Sequence, residues 1–126
     1  MAAPTELESR ISQRTLDALI LALSVHPEGT KFRNVLTSDL MRLFQEDKKR
    51  AEEYGITFTE LGYSRKISDG VSSLGFIGVL SFDFSINAYV TKPELYECKN
   101  DESFSGFSEE DRTYLENLGK RLETIS

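Results

Sequence analysis

The stretch that decides the fold is "GYSRKISDGVSSLGFIGVLSFDFSINAYV", residues 62–90. Its apolar side chains first recur every three or four residues, up to Ile77, and then every second residue from Leu80. The first spacing is typical of a helix that packs on one face, and the second is typical of a half-buried strand. We therefore predict a helix over residues 63–77 and a β-hairpin over residues 80–91.

The ends of these elements carry their own signals. Gly78 is expected to close the helix, since glycine adopts the left-handed backbone of a helix C-terminus without strain. The first strand of the hairpin is expected to contain four alternating apolar side chains: Leu80, Phe82, Phe84 and Ile86. Asn87 then turns the chain, and residues 88–91 return antiparallel.

The chain before this stretch is predicted to form a first helix and a loop. Apolar residues at helical spacing indicate a helix from about residue 6 to about residue 25, opened by a capping box of Thr5 and Glu8. Residues 26–36 contain Pro and Gly and are predicted to be a loop.

A second helix is predicted between that loop and the deciding stretch. It is expected to begin at Thr37 or Ser38 and to end at Gly55, because its apolar residues form one stripe up to that glycine. Thr57 and Glu60 have the spacing of another capping box and predict a short helical turn.

The end of the chain is predicted to be a linker followed by a helix. Residues 98–108 are rich in polar residues and read as a linker, and Ser108 with the three acids after it opens a helix over 109–126. Three helices followed by a hairpin is the order of a winged helix-turn-helix domain. We therefore predict a mostly α fold with a small β-hairpin: a winged helix over 1–97 with an extra C-terminal helix.

Composition limits the class of protein. The chain has 126 residues, a net charge of −6 and one cysteine. This length favours one domain, and a single cysteine excludes an intramolecular disulfide, which favours a cytoplasmic location. The longest apolar run, residues 16–25, is too short to span a bilayer, so no membrane partner is expected.

The sequence offers little for catalysis. His26 is the only histidine, beside Pro27 at a helix end, where a cationic ring would favour the helix dipole. The acids at 109–111 suit the first turn of a helix in the same way and lack calcium-ligand spacing. We expect no enzyme activity, no metal and no cofactor. Only a metal bound near His26 would revive an enzymatic reading.

The helix over 63–77 is predicted to read double-stranded DNA. Arg65 and Lys66 stand near its start, where a recognition helix faces base edges and phosphates, and serines there would allow close approach to the groove. The DNA-binding residues predicted on this helix are Ser64, Arg65, Lys66, Ser68, Asp69 and Ser72. Phosphate contacts are predicted for Lys31, Arg33 and Lys48.

Residues 65–80, "RKISDGVSSLGFIGVL", resemble the C-terminal winged-helix domain of the archaeal origin-recognition and cell-division-control initiator family. The basic pair, the Ile-Ser-Asp triplet and the Ile-Gly pair match that family's recognition helix, and residues 36–56 are similar to its preceding helix. The resemblance implies a winged helix that contacts origin DNA through Arg65 and Lys66. The family's wings commonly carry arginine and glycine, and residues 83–89 here contain no cation.

The sequence therefore supports two functional hypotheses. The leading hypothesis is a DNA-binding winged helix in replication-origin recognition or transcriptional regulation, and the alternative is a winged helix that acts as a protein–protein interaction module. A positive surface that continues from Arg65 to the other predicted cations would favour DNA, and an interrupted one would favour a protein partner.

A homodimer through the C-terminal helix is also predicted. The spacing of its apolar stripe is that of a coiled-coil seam, formed by Leu115, Leu118, Leu122 and Ile125. The alternative is that this stripe folds back onto the chain's own core.

Overall fold

The computed structural model describes residues 13–99 and 107–125. Within them, six helices and one four-stranded antiparallel sheet form a small α+β domain. In chain order the elements are α1 (Gln13–Leu23), β1 (Lys31–Arg33), α2 (Leu36–Gln45), α3 (Lys48–Glu53), α4 (Arg65–Phe76), β2 (Leu80–Asp83), β3 (Ala88–Thr91), α5 (Pro93–Lys99), α6 (Glu109–Lys120) and β4 (Thr124–Ile125).

The core is organised around α1 and one face of the sheet. Residues 18–23 of α1 are all buried, and this helix contacts α4, α5 and α6. The strand order is β2-β3-β1-β4, so β3 and β1 lie in the middle of the sheet. Phe32 of β1 is fully buried and holds the sheet against the helices. A helix that is apolar on nearly all sides is thereby covered by its own chain.

The predicted helix in the deciding stretch is confirmed as α4. The Ser64 hydroxyl accepts a hydrogen bond from the Ile67 N–H at 3.2 Å, which caps the first turn. Gly78 has φ +86° and ends the helix as expected. Gly70 is buried, and a Cβ on it would lie 2.5 Å from Leu19 Cδ1. The missing side chain therefore lets α4 approach α1 closely.

The hairpin is confirmed, but its first strand is shorter than predicted. β2 ends at Asp83, whose Oδ1 accepts from the Ser85 N–H at 2.9 Å and from the Ser85 hydroxyl at 2.6 Å. Such a side-chain bond to the backbone two residues on starts a turn. Asn87 completes that turn with φ 54°. Phe84 and Ile86 consequently lie in the turn rather than in a half-buried strand.

The predicted loop over 26–36 is wrong in part, because it contains β1. Three residues are too few to give a periodic signal. They form a strand only because β3 and β4 pair with them from distant parts of the chain. Phe32 stands opposite Tyr89 in that ladder.

The second predicted helix is divided into α2 and α3. It begins at Leu36 without a side-chain cap, so the expected start at Thr37 or Ser38 is wrong. The carboxylate of Asp47 accepts from the Arg50 N–H at 3.2 Å, which opens a new helix instead of continuing the old one. Gly55 follows α3 with φ +80°, as predicted.

Three smaller predictions concern a turn before α4, the residues after β3 and the N-terminal capping box. No helical turn begins at Thr57, because the hydroxyl of Thr59 accepts from the Tyr63 N–H and forms a turn. No helix was predicted over residues 93–99, and residues 98 and 99 were assigned to the linker; they form α5, whose first position suits Pro93. Residues 100–106 of the predicted linker lie outside the described residues. The capping box of Thr5 and Glu8 lies outside the described residues.

The C-terminal helix is confirmed as α6, with a capping box between Ser108 and Asp111. It is shorter than the predicted 109–126, because it ends at Lys120 and residues 124–125 form β4 instead. The predicted dimer seam is not a free surface. Leu115, Leu118 and Leu122 are buried in the chain's own core against α1, and Ile125 lies in β4 beside β1. Since three members of the stripe are already covered, a partner chain cannot bind them without α6 leaving the core.

Candidate interaction surface

The exposed side of α4 carries a mixture of charges. Arg65 has a side chain that is 75% exposed, and its Nε lies 3.4 Å from the Asp69 carboxylate one turn later. Ser72 is exposed, whereas Lys66, Ser68 and Asp69 are partly buried. The structure thus brings these five predicted residues onto one helix, with an acid next to the most exposed cation.

Ser64 does not belong with them. Its side chain is fully buried, and its hydroxyl is used to cap α4. A buried capping hydroxyl cannot reach a nucleic acid, so its assignment to DNA binding is corrected.

The other predicted cations lie on different elements. Arg33 of β1 is held between two carboxylates, 2.7 Å from Glu123 and 3.6 Å from Asp39. Lys31 is exposed on the same strand, and Lys48 is exposed at the start of α3. The Ser85 hydroxyl is the main reason that the pKa of Asp83 is lowered, and Lys31 adds a smaller effect. Acids therefore interrupt the cations that would form a DNA-binding surface.

The segment that contains α4 and the hairpin has few charges. Residues 56–92 hold three acids, Glu60, Asp69 and Asp83, and three bases, Arg65, Lys66 and Lys92. Their formal charges cancel, so the net charge of −6 arises elsewhere in the chain. This part of the molecule neither attracts nor repels a polyanion strongly.

The same segment exposes large apolar side chains. Leu61 is 97% exposed, Phe76 is 94% exposed and Phe84 is 87% exposed. We use the name α4–hairpin surface for the six exposed large apolar residues of this segment: Leu61, Tyr63, Phe76, Ile77, Phe84 and Ile86. They lie before α4, after α4 and in the hairpin turn. Single exposed apolar residues are ordinary, but six within one charge-poor segment make this segment the candidate interaction surface.

Aromatic rings continue this surface along the hairpin. The ring of Phe82 meets those of Phe84 and Tyr89 edge-on, each with 4.9 Å between centroids. Phe82 and Tyr89 are directly opposite each other on β2 and β3. The ring contacts hold Phe84 at a defined position although most of its surface meets solvent.

Two shallow depressions are each lined in part by residues of this surface. One, of about 310 Å³, is formed between α2 and the residues before α4, with Met41, Arg42, Gln45, Leu61 and Tyr63 among its lining residues. The other, of about 460 Å³, lies along the hairpin between Ser81, Asp83, Phe84 and Lys92. Both are open to solvent and wide enough to receive side chains of a partner.

A second group of polar residues joins α6 to the rest of the domain. The Asp111 carboxylate accepts from the Tyr54 hydroxyl at 2.7 Å and from Arg50 at 3.2 Å. The Tyr54 bond is the main cause of the lowered pKa of Asp111, while burial is the main cause of the raised pKa of Tyr54. Arg14 lies over the ring of Phe107 at 4.7 Å. These bonds are internal and explain why α6 stays on the core.

His26 also has an internal role. Its Nε2 lies 2.7 Å from the carbonyl oxygen of Gly119, and its ring meets Phe32 edge-on at 5.1 Å. Among residues 13–99 and 107–125, no three His, Cys, Asp or Glu side chains are grouped to hold a metal ion. Over the same residues no helix has the length and apolarity needed to cross a membrane.

The sequence interpretation did not identify the α4–hairpin surface. It assigned Phe84 and Ile86 to the buried face of a strand, and it gave Leu61 and Tyr63 no role. One signal was available: residues 56–92 contain only six charged side chains. A charge-poor interval with apolar residues at both ends of a helix is a pattern to test for docking.

Comparison with known proteins does not identify this chain. No family model, no curated protein and no solved structure matches it.

Proposed function

We propose that this protein is a winged-helix domain that docks another protein through the α4–hairpin surface. Apart from the six-residue helix α3, the order α1-β1-α2-α4-β2-β3 is that of a winged helix, with α4 in the position of the recognition helix and β2–β3 as the wing. The pairing of β3 with both β2 and β1 also suits this architecture. The fold assignment rests on this order and pairing.

The observation that carries the docking function is the coincidence of exposed apolar side chains with zero net charge over residues 56–92. The centre of a protein–protein interface is depleted in charge and enriched in aromatic residues. A DNA-binding surface needs cations that displace counterions from phosphates. The hairpin turn offers Phe84 and Ile86 instead.

Double-stranded DNA is the second candidate, and the exposure of Arg65 favours it. An arginine in the first turn of α4 is placed where a recognition helix contacts guanine or phosphate. A role in replication-origin recognition or transcriptional regulation would follow from such contacts. Asp69 beside Arg65 and the uncharged hairpin turn make this candidate weaker.

Site-specific photocrosslinking tests the docking function. Phe84 is replaced by p-benzoylphenylalanine in cells of the source organism, with the same replacement at Lys49 of α3 as the matched exposed control. We expect protein adducts from position 84 and few from position 49. Equal yields at the two positions would contradict docking through the hairpin.

Duplex binding separates the two candidates. If the surface docks protein, the chain should show no duplex binding at about 50 mM salt, where phosphate contacts are strongest. If DNA is the ligand, Arg65→Ala should weaken binding by roughly 1–3 kcal/mol. Lys49→Ala, which removes an exposed cation outside α4, is the control. Duplex binding that depends on Arg65 but not on Lys49 would overturn the docking proposal.

A further inference from the structure

The outer strand of the sheet is β2. Among residues 13–99 and 107–125, β2 pairs with β3 alone and is therefore an edge strand. Natural edge strands are usually protected by Lys, Pro or a bulge, because their unpaired backbone groups can bind another strand. β2 has the sequence Leu-Ser-Phe-Asp and contains neither Lys nor Pro. Its edge is therefore available for pairing at Phe82, whereas α4 lies against the Leu80 end of the strand.

The hydrogen-bond pattern shows which backbone groups face that edge. Lys92 donates its N–H to the Val79 carbonyl at 3.1 Å, in the same register as the β2–β3 ladder. In an antiparallel ladder, every second residue is bonded to the neighbouring strand. The backbone groups of Ser81 and Asp83 thus point to β3, and those of Phe82 point outward.

We infer that β2 of one chain pairs antiparallel with β2 of a second copy of this chain. The inference rests on the proposed docking function and names the partner. A second copy would present the same neutral segment, so two chains of net charge −6 could meet here without the repulsion that their acidic surfaces would cause. A two-fold axis at the edge makes the contact isologous and closed.

The charges and hydrogen bonds select one register. In an antiparallel pair, a residue whose backbone groups point to the partner strand lies opposite a residue whose groups do the same. In β2 these outward-pointing residues are the even-numbered ones, so Phe82 can lie opposite only an even-numbered residue of the partner. A register with Asp83 opposite the partner's Asp83 would place like charges together, which destabilises a sheet. The register that uses Leu80 is hindered because Gly75 of α4 lies near the Leu80 carbonyl.

The remaining register places Phe82 opposite the partner's Phe82. The two residues exchange N–H to carbonyl bonds, and their rings lie on the same face of the extended sheet. Asp83 then faces the partner's Ser81 across the axis, twice in each dimer. Phe84 and Ile86 extend beyond the ladder and contact the edge of the partner.

Sedimentation of the full chain tests this pairing, with two variants of an exposed residue. Ser81→Lys places a cation opposite the partner's Asp83 at two sites, so the dimer is expected to become roughly 2- to 30-fold tighter. Ser81→Asp is expected to weaken it by a similar factor. If Ser81→Lys weakens association instead, Ser81 lies opposite the partner's Ser81, and the register proposed here is wrong.

A second pair of variants separates the backbone from the ring. Phe82→Ala keeps the outward N–H and should weaken the dimer, whereas Phe82→Pro also removes that N–H and should abolish it. If circular dichroism shows that Phe82→Pro does not fold, the sedimentation of Ser81→Lys and Ser81→Asp tests the pairing without it. A chain that stays monomeric at all concentrations up to about 1 mM would contradict the β2 pairing, because weaker association has no useful affinity.

The result can be distinguished from failure of the proposed function. A monomeric chain that still crosslinks to another protein from position 84 overturns only the second copy as the partner. A chain that binds duplex through Arg65 overturns the docking function, whatever its oligomeric state.

Discussion

Two regions of the molecule differ in how their side chains are satisfied: the junction of α1 with α6, and the α4–hairpin surface. At the junction, Gly119 meets the backbone of Ala22, and charged groups such as Asp111 are paired within the chain. At the α4–hairpin surface, large apolar side chains meet solvent and few charges surround them. The side chains of the first region bond and pack within the chain, whereas those of the second remain exposed. Changes at the junction should therefore affect stability, and changes at the surface should affect association.

The largest effect is expected at Gly119. A Cβ there would overlap the carbonyl oxygen of Ala22, a backbone atom that cannot move as a side chain does. Gly119→Ala should lower the free energy of unfolding by about 3 kcal/mol. The control is Gly75→Ala in α4, where the nearest atom would lie 3.7 Å from the new Cβ. Denaturant unfolding compares them, and equal stability of the two variants would show that the helices cross elsewhere.

Removal of the charge on Asp111 should have a smaller effect. Asp111→Asn weakens the bonds from Tyr54 and Arg50 and the cap of α6, and should cost about 1–3 kcal/mol. The matched control is Asp83→Asn, whose carboxylate bonds only local turn groups and Ser85 in particular. If the two variants lose the same stability, the Asp111 network does not hold α6 to the core.

The pH dependence of stability follows from the same carboxylate. Since the pKa of Asp111 is lowered in the folded chain, its contribution to stability is present above its ordinary pKa of about 4 and is lost as the pH falls through the folded pKa. The stability difference between the native chain and Asp111→Asn should shrink as the pH falls below about 4. Unfolding curves over that range measure it. A difference that stays constant in acid would contradict the assignment.

The smallest change in stability is expected at the exposed surface. Phe84→Ser should change the free energy of unfolding by no more than about 0.5 kcal/mol, because the ring is mostly exposed in the turn. The same substitution should weaken self-association. Phe44→Ser, in the core, is the contrasting control. A large loss of stability in Phe84→Ser would show that this ring is part of the core.

Local signals account for what the sequence could predict. Gly78 and Ser108 lie at element ends that backbone preferences and short-range hydrogen bonds determine, and these ends were confirmed. The change of period at residue 80 located the hairpin. Such signals depend on a few neighbouring residues, which a single sequence displays in full.

Long-range contacts account for what it could not. β1 exists because distant strands pair with it, and the leucines of α6 are covered by α1, which lies far away along the chain. Likewise, Arg33 is paired with Glu123, so its charge is not free for the phosphate contact that was predicted from the sequence. The candidate surface depends on which apolar residues the core leaves uncovered, and periodicity alone does not give that.

Amide hydrogen exchange of the full chain at two protein concentrations observes β2 and α6 in one experiment. Pairing through β2 predicts that the Phe82 amide and its neighbours on β2 become protected as concentration rises, while the amides of α6 do not change. Unchanged exchange along β2, or new protection confined to α6, would contradict it.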